Sequence, residues 1–292
     1  MIIACLGMLA GVTFSSGMME VARKGIFHPH LFTMPELMAI FLGVMITDIV
    51  LLDMYNTFGL PTSTTVSIVF ELLGAAVAVS ILKIIEAGQS FGDLVNYINT
   101  AKALAIISGI LLSVVVAFVT GAFVQFVTRL IFTFDFRRRI RRYGALWGGV
   151  ALASIIYFIL IKGSKGASFL SDETVAWIRG HTWTILLVSF AGCTVLLQML
   201  IVFFRTNVLK VIILAGTFAI AMAFAANDLV NFIGVPLAGI SAYQEASAGG
   251  DLLNESMAGL AKATKANTFY LLIAGFVMVF TLWFSRKSRT VS

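Results

Sequence analysis

The sequence predicts an all-α integral membrane protein. Of its 292 residues, 60% are hydrophobic and only 12% are charged, whereas a soluble domain is about half apolar and a quarter charged. Several apolar runs reach the roughly 20 residues that a helix needs to cross a bilayer. The excess of positive charge is concentrated in short clusters beside such runs, which indicates membrane topology rather than nucleic-acid binding. These spans are predicted at 36–57, 61–85, 103–134, 144–162, 182–204, 207–225 and 267–285, with an interrupted run at 1–19.

Two basic clusters orient the chain. RRRIRR occupies Arg137–Arg142, between two spans, and SRKSR at Ser285–Arg289 follows the last one. Both should be cytoplasmic and near lipid headgroups. Four predicted spans separate the clusters, provided that residues 226–266 dip into the membrane and return or lie on its surface. Because four is an even number, both clusters then fall on the same side of the membrane.

The first candidate site is GLPTSTT at Gly59–Thr65. Proline is favoured in the first turn of a helix, so we expect a helix to begin at Pro61. The helix N-terminus carries about half a positive charge and donates backbone N–H groups. With the hydroxyls of Ser63, Thr64 and Thr65 it would form an anion site without arginine. The alternative is that these hydroxyls only cap the helix.

The second candidate site is AFAANDLVNFIGVPLAG at residues 223–239. Asn227, Asp228 and Asn231 are four and three residues apart, so they share one helical face. We expect a helix break at Gly234–Pro236 that exposes carbonyl groups. Carboxylate, amide and carbonyl oxygens suit sodium, which we assign to Asp228 and Asn231. The alternative is that Asp228 lies at headgroup level or pairs with a lysine.

Other acidic residues lie within apolar runs. Glu71 follows Ser63 by eight residues, about two turns, so it lies on roughly the same face and is a candidate coupling acid. The alternative is a protonated side chain bonded to a neighbouring helix. Asp48 and Asp53 are five residues apart and do not face together. For them we consider either a cation or proton site, or a structural or interfacial position.

Two Gly/Pro-interrupted segments, one in each half of a chain, are typical of transporters whose binding site is built from broken or re-entrant helices. An enzyme is not expected, because no nucleophile–base pair has suitable spacing. No resident cofactor is predicted, since the His and Cys residues follow no metal-binding pattern. The Gly7–Gly11 motif, GMLAG, indicates helix packing.

Both candidate sites resemble the signatures of one family. GLPTSTT resembles the Gly-Leu-Pro-Val-Ser-Thr-Thr motif of the inorganic phosphate transporter (phosphate permease) family. AANDLVNFIG at Ala225–Gly234 resembles that family's Gly-Ala-Asn-Asp-Val-Ala-Asn-Ala-Ile-Gly motif. The resemblance implies a polytopic transporter bundle with inverted repeats that moves phosphate with sodium or protons.

The resemblance also implies residue roles. Phosphate would bind at Ser63, Thr64 and Thr65. The sodium ions and the phosphate site would be served by Asn227, Asp228 and Asn231. The sequence departs from the family pattern at Val66, where histidine is usual, at Phe70–Glu71, where a Gly-Gly pair is usual, and at Val235, which separates Gly234 from Pro236.

The family repeats both motifs, whereas this chain holds one of each. We therefore expect a partial chain that lacks the first Asn-Asp element and the second Ser-Thr-Thr element. Residues 1–136 would be the remainder of the first repeat, 137–142 a cytoplasmic basic junction, and 143–292 the start of the second repeat.

The function predicted is cation-coupled symport of inorganic phosphate, with sodium as the first choice of cation and protons as the second. We expect a multi-pass protein of the cell inner membrane, in contact with lipids. No nucleic acid is expected as a partner, and a homodimer is a possible oligomeric state. The alternatives are a transporter of sulfate or another oxyanion, a passive anion channel, and a non-transporting membrane subunit.

Overall fold

Helices provide nearly all the regular structure of the protein. The computed structural model describes residues 1–13, 25–60, 62–133, 136–166, 171–204, 207–249 and 268–284, with Leu253 and Met257, and gives the backbone alone for 136–138, 161–166, 172, 227–231 and 268. The α-helices of the described residues are α1 (Ile2–Thr13), α2 (Met34–Phe58), α3 (Thr64–Glu86), α4 (Leu94–Tyr97), α5 (Thr100–Phe132), α6 (Phe136–Gly166), α7 (Asp172–Gly180), α8 (Thr182–Phe204), α9 (Val208–Gly249) and α10 (Thr268–Phe284). An antiparallel bridge joins Phe27 and Ile98. The predicted all-α class is confirmed.

Six helices in the described part of the chain are long and apolar enough to cross a membrane. They are α2, α3, α5, the Arg139–Leu160 segment of α6, α8, and the Val208–Ala226 segment of α9. The predicted spans near the two termini correspond to the shorter helices α1, of 12 residues, and α10, of 17 residues. The protein is therefore a multi-pass membrane protein.

The predicted helix break at Gly234–Pro236 is wrong, because α9 continues through Pro236 without interruption. Proline removes one backbone donor and crowds the preceding turn, at a cost of about 3 kcal/mol inside a helix. Packing offsets this cost, since Val235, Ala238 and Ala242 around the proline are all buried in one apolar core. The local sequence signal was therefore overridden by tertiary contacts.

The chain divides into two compact units, each built from separated segments. The first contains Met1–Ser15, Val114–Ala226 and Thr268–Ser292, and the second contains Ser16–Ser113 and Asn227–Asn267. The predicted junction at 137–142 separates two sequence repeats, whereas the compact units are groups of residues in contact. The division into repeats therefore stays a prediction.

Glycines allow close helix contacts in the first unit. Gly7 and Gly11 of α1 are buried against α9, where a Cβ on either glycine would collide with the carbonyl oxygen of Phe218 or Met222. On α10, Gly275 similarly accommodates the Val12 side chain. Small residues permit this close approach of helix backbones, so the packing interpretation of the GMLAG motif is confirmed.

Replacing Gly11 with alanine should destabilise this contact. The added Cβ would meet the Met222 carbonyl and lie 2.9 Å from the Ala225 Cβ, so α1 would have to move. Overpacking of this kind costs about 1–3 kcal/mol. We expect a lower thermal unfolding midpoint for the detergent-purified protein. Gly216→Ala is the matched control, because a Cβ at Gly216 has no neighbour within 4 Å; equal midpoints for the two variants would contradict the packing account.

The second unit is organised around the α2–α3 helix pair. These helices pack along each other, and their buried faces join the aromatic side chains of Phe27 and Phe32 in one apolar core. The two aromatic rings meet edge to face, with centroids 5.6 Å apart. This packed pair provides the rigid support for the polar groups described next.

Candidate functional site

Gly59 ends α2 and turns the chain toward the hydroxyl cluster. Its φ of +66° lies in the left-handed region, which glycine adopts without a Cβ penalty. The Leu60 N–H donates to the Tyr55 carbonyl at 2.9 Å and closes the last turn. The glycine of GLPTSTT therefore has a structural role, to reverse the chain between α2 and α3.

Helix α3 begins at Thr64, three residues later than the predicted start at Pro61. The reason is that Ser63 takes the N-cap position with extended backbone angles, φ −114° and ψ 111°. Pro61 itself lies outside the described residues. The Ser63 side chain makes no capping hydrogen bond, so the capping alternative does not account for this hydroxyl.

A cleft of about 740 Å³ lies between α2 and α3. Its described lining residues are Gly43, Thr47, Leu51, Tyr55, Thr62, Ser63, Val66, Ser67, Phe70, Glu71, Gly74 and Ala75. Ser63, Ser67 and Glu71 follow one another at four-residue spacing, which confirms that Glu71 shares a face with the hydroxyl cluster. Thr64 and Thr65 form the first turn of α3 and are half-buried.

Glu71 is the acidic residue of the described cleft lining, and the buried Asp48 lies near it. The Ser67 hydroxyl donates to Glu71 Oε1 at 2.6 Å, and the Asp48 carboxylate lies near both side chains. Asp48 is only 5% exposed. Its Oδ1 atom and Glu71 Oε2 are both buried without a hydrogen-bond partner. Asp53, by contrast, is exposed, which confirms that the two aspartates of α2 do not face together.

The sequence did not predict that Asp48 and Glu71 lie near each other. The signal that could have done so is the Glu36–Lys83 ion pair, 2.9 Å long, which joins the start of α2 to the end of α3. Asp48 lies twelve residues after Glu36, and Glu71 lies twelve residues before Lys83. One antiparallel register therefore places both pairs opposite each other.

The second predicted group, Asn227, Asp228 and Asn231, lies in the middle of α9. The backbone is helical there, as expected, but the three side chains are outside the described residues. Their assignment to sodium and phosphate stays a prediction.

Comparison with known proteins identifies similar sequences and a similar fold. The family model described as "Phosphate transporter family" matches residues 1–288, and no curated protein matches the chain. A solved chain described as "The sodium-dependent phosphate transporter" has the same fold, with a TM-score of 0.61 and 20% identity over 97% of this chain. The match spans 65% of that solved chain.

The description of the family model agrees with the prediction that the chain is not an enzyme. The match covers nearly the whole sequence, including both recognised motifs. The chain belongs to the phosphate transporter family.

Proposed function

We propose that this protein carries out sodium-coupled symport of inorganic phosphate. The observation that carries the proposal is the cleft between α2 and α3, in a chain of the phosphate transporter family. Its lining includes Ser63, at the N-terminus of α3, and the carboxylate of Glu71. This arrangement offers complementary places for an anion and a cation.

Phosphate would bind at the start of α3. Ser63 offers a hydroxyl that makes no capping bond, Thr64 and Thr65 follow in the first turn, and the helix dipole favours an anion there. None of the described residues that line the cleft carries a positive charge. A site built from neutral donors holds phosphate without the charge-assisted grip of arginine, and this suits a carrier that must release its substrate.

The acidic residue of the cleft lining requires a cation. Glu71 lines the same cleft as Ser63, so its negative charge would oppose an entering anion, and charges interact strongly in a medium of low dielectric constant. A bound cation removes this repulsion. Binding of the two ions is then mutually favourable, which is the physical basis of symport and distinguishes this site from a passive anion channel.

The second motif would complete the site. We place Asn227, Asp228 and Asn231 at sodium and phosphate, in agreement with the family resemblance. Movement of one transporter repeat against the other would then expose the loaded site to either side. The proposed location is the cell inner membrane, with inorganic phosphate and sodium as the transported partners.

Sulfate is the nearest alternative substrate, because hydroxyls and backbone amides bind any tetrahedral oxyanion. Phosphate is favoured by Asp228, the carboxylate that we place beside it, since HPO4²⁻ carries a proton that it can donate to a carboxylate, whereas sulfate carries none at neutral pH.

Counterflow exchange tests this selectivity. Proteoliposomes loaded with unlabelled phosphate should take up labelled phosphate, and a tenfold excess of external sulfate should leave at least half of that uptake. Liposomes without protein provide the control. Competition by sulfate as strong as that by unlabelled phosphate would contradict the proposed substrate.

A further inference from the structure

We propose that Asp48, Ser67 and Glu71 form a binding site for one sodium ion between α2 and α3. This inference rests on the proposed function in one respect, because it names the site of the coupling cation. The binding itself requires neither phosphate nor transport. It differs from the predicted sodium position at Asp228, which lies on another helix.

Proton counting on Ser67 is the first argument. A serine hydroxyl has one proton to donate, and here two carboxylates lie near it. It donates to Glu71 Oε1 at 2.6 Å, so toward Asp48 it offers only lone pairs. Two ionised carboxylates therefore cannot both be stabilised by this hydroxyl, and an additional positive group is needed.

Burial is the second argument. Asp48 is only 5% exposed, and its Oδ1 atom has no hydrogen-bond partner. Glu71 Oε2 is also buried without a partner. A buried carboxylate oxygen without a partner is costly. A proton would satisfy one of these two oxygens, whereas a metal ion between them would contact both.

The charge balance is the third argument. Lys83 is the only lysine or arginine in residues 34–86. It already binds Glu36 Oε2 and the Leu31 carbonyl, both at 2.9 Å. Lys83 lies twelve residues beyond Glu71, about 18 Å along the helix at 1.5 Å per residue. No cationic side chain of the α2–α3 pair can therefore neutralise Asp48 and Glu71.

The donor set indicates the kind of cation. Carboxylate and hydroxyl oxygens are hard ligands, which suit alkali and alkaline-earth ions. In the described part of the chain, no three His, Cys, Asp or Glu residues cluster where they could hold a metal ion, so any site here would combine two carboxylates with hydroxyl oxygens. Sodium fits these ligands and the proposed coupling.

The position explains how this ion would assist phosphate binding. Glu71 lies eight residues after Ser63, about 12 Å along α3. A cation at Glu71 would thus lie in the same cleft as the anion, at a distance where charges interact appreciably in a weakly screening environment. It would cancel the repulsion without touching the phosphate.

Equilibrium binding of ²²Na⁺ to the detergent-purified protein, in the absence of phosphate, tests the site. Asp48→Asn and Glu71→Gln keep the side-chain shape and remove one charge each. We expect each variant to bind sodium at least tenfold more weakly at one site. Asp53→Asn is the matched control, because it removes an exposed carboxylate of the same helix and should bind like the wild type. Sodium binding by Asp48→Asn and Glu71→Gln equal to that of wild type would overturn the proposal.

Thermal unfolding gives a second measurement that does not depend on the radiolabel. Replacing choline with sodium at constant ionic strength should raise the unfolding midpoint of the wild type, since a ligand that binds the native state stabilises it. The sodium-induced shift should be reduced in Asp48→Asn and retained in Asp53→Asn. Equal shifts in both variants, or an equal effect of potassium, would overturn the sodium site.

The outcomes separate this site from the proposed function. Sodium binding that depends on Asp48 and Glu71, in a protein that transports no phosphate, would support the site and contradict the function. If the protein carries out phosphate symport and both variants bind sodium as the wild type does, the function is supported and the site is overturned.

Discussion

Replacing Ser63 with alanine should raise the KM for phosphate uptake about ten- to hundredfold. A hydrogen bond to a charged group contributes roughly 1.5–3 kcal/mol, and each factor of ten corresponds to about 1.4 kcal/mol. Ser63 is exposed to the cleft and makes no capping bond, so its loss should affect the ligand more than the helix. Initial rates of labelled phosphate uptake across a range of concentrations measure the effect.

Ser80→Ala provides the control for this variant. Ser80 lies on the same helix, is fully buried and donates to the Ala76 carbonyl at 2.7 Å, away from the residues that line the cleft. We expect its KM to stay close to that of wild type. An unchanged KM in Ser63→Ala would contradict the assignment of phosphate to the start of α3.

Replacing Asp228 with asparagine should reduce sodium-driven phosphate uptake at least a hundredfold. The change removes the carboxylate that we assign to sodium while it keeps the size of the side chain. A hundredfold loss corresponds to about 2.7 kcal/mol, a reasonable value for one charged ligand of a cation in a membrane protein. Phosphate uptake under an inward sodium gradient measures this loss. Asp53→Asn is the control, because it also replaces an aspartate with asparagine.

Exchange without a gradient distinguishes the alternatives for Asp228. In a passive anion channel the carboxylate has no coupling role, so phosphate exchange would persist at the wild-type rate. Retention of both sodium-driven uptake and exchange in Asp228→Asn would contradict its role as a sodium ligand.

The membrane helices could be predicted well from the sequence because the bilayer imposes a simple requirement. A spanning helix needs about 20 apolar residues, and the predicted run at 36–57 became α2 at Met34–Phe58. The run at 182–204 matches α8 residue for residue. Length and hydropathy are properties of the local sequence, so no knowledge of the tertiary structure was needed.

Helix boundaries at prolines were predicted less well. A proline indicates where a helix is costly, but it does not reveal what surrounds it. Pro236 lies inside α9 because its neighbours Val235 and Ala238 are buried in the core of the second unit. At the other motif, the extended backbone of Ser63 moved the start of α3 to Thr64. Both differences arise from backbone conformations and contacts that composition does not encode.

The candidate site was predicted in part, and the missing part is a contact between helices. Helical periodicity correctly placed Glu71 beneath Ser63, because both residues belong to one helix. The proximity of Asp48 to Glu71 depends on the register between α2 and α3, which periodicity cannot supply. The Glu36–Lys83 pair fixes that register in the structure, and an oppositely charged pair at the outer ends of two antiparallel helices is the sequence signal to seek in similar chains.

The most direct test of sodium-coupled phosphate symport is concentrative uptake of labelled phosphate into proteoliposomes that contain the complete gene product. With an inward sodium gradient, we predict accumulation above the external phosphate concentration, and its loss when choline replaces sodium or when a sodium ionophore collapses the gradient. Phosphate that only equilibrates, at a rate independent of sodium, would contradict symport, and accumulation driven equally well by a proton gradient alone would contradict sodium as the coupling ion.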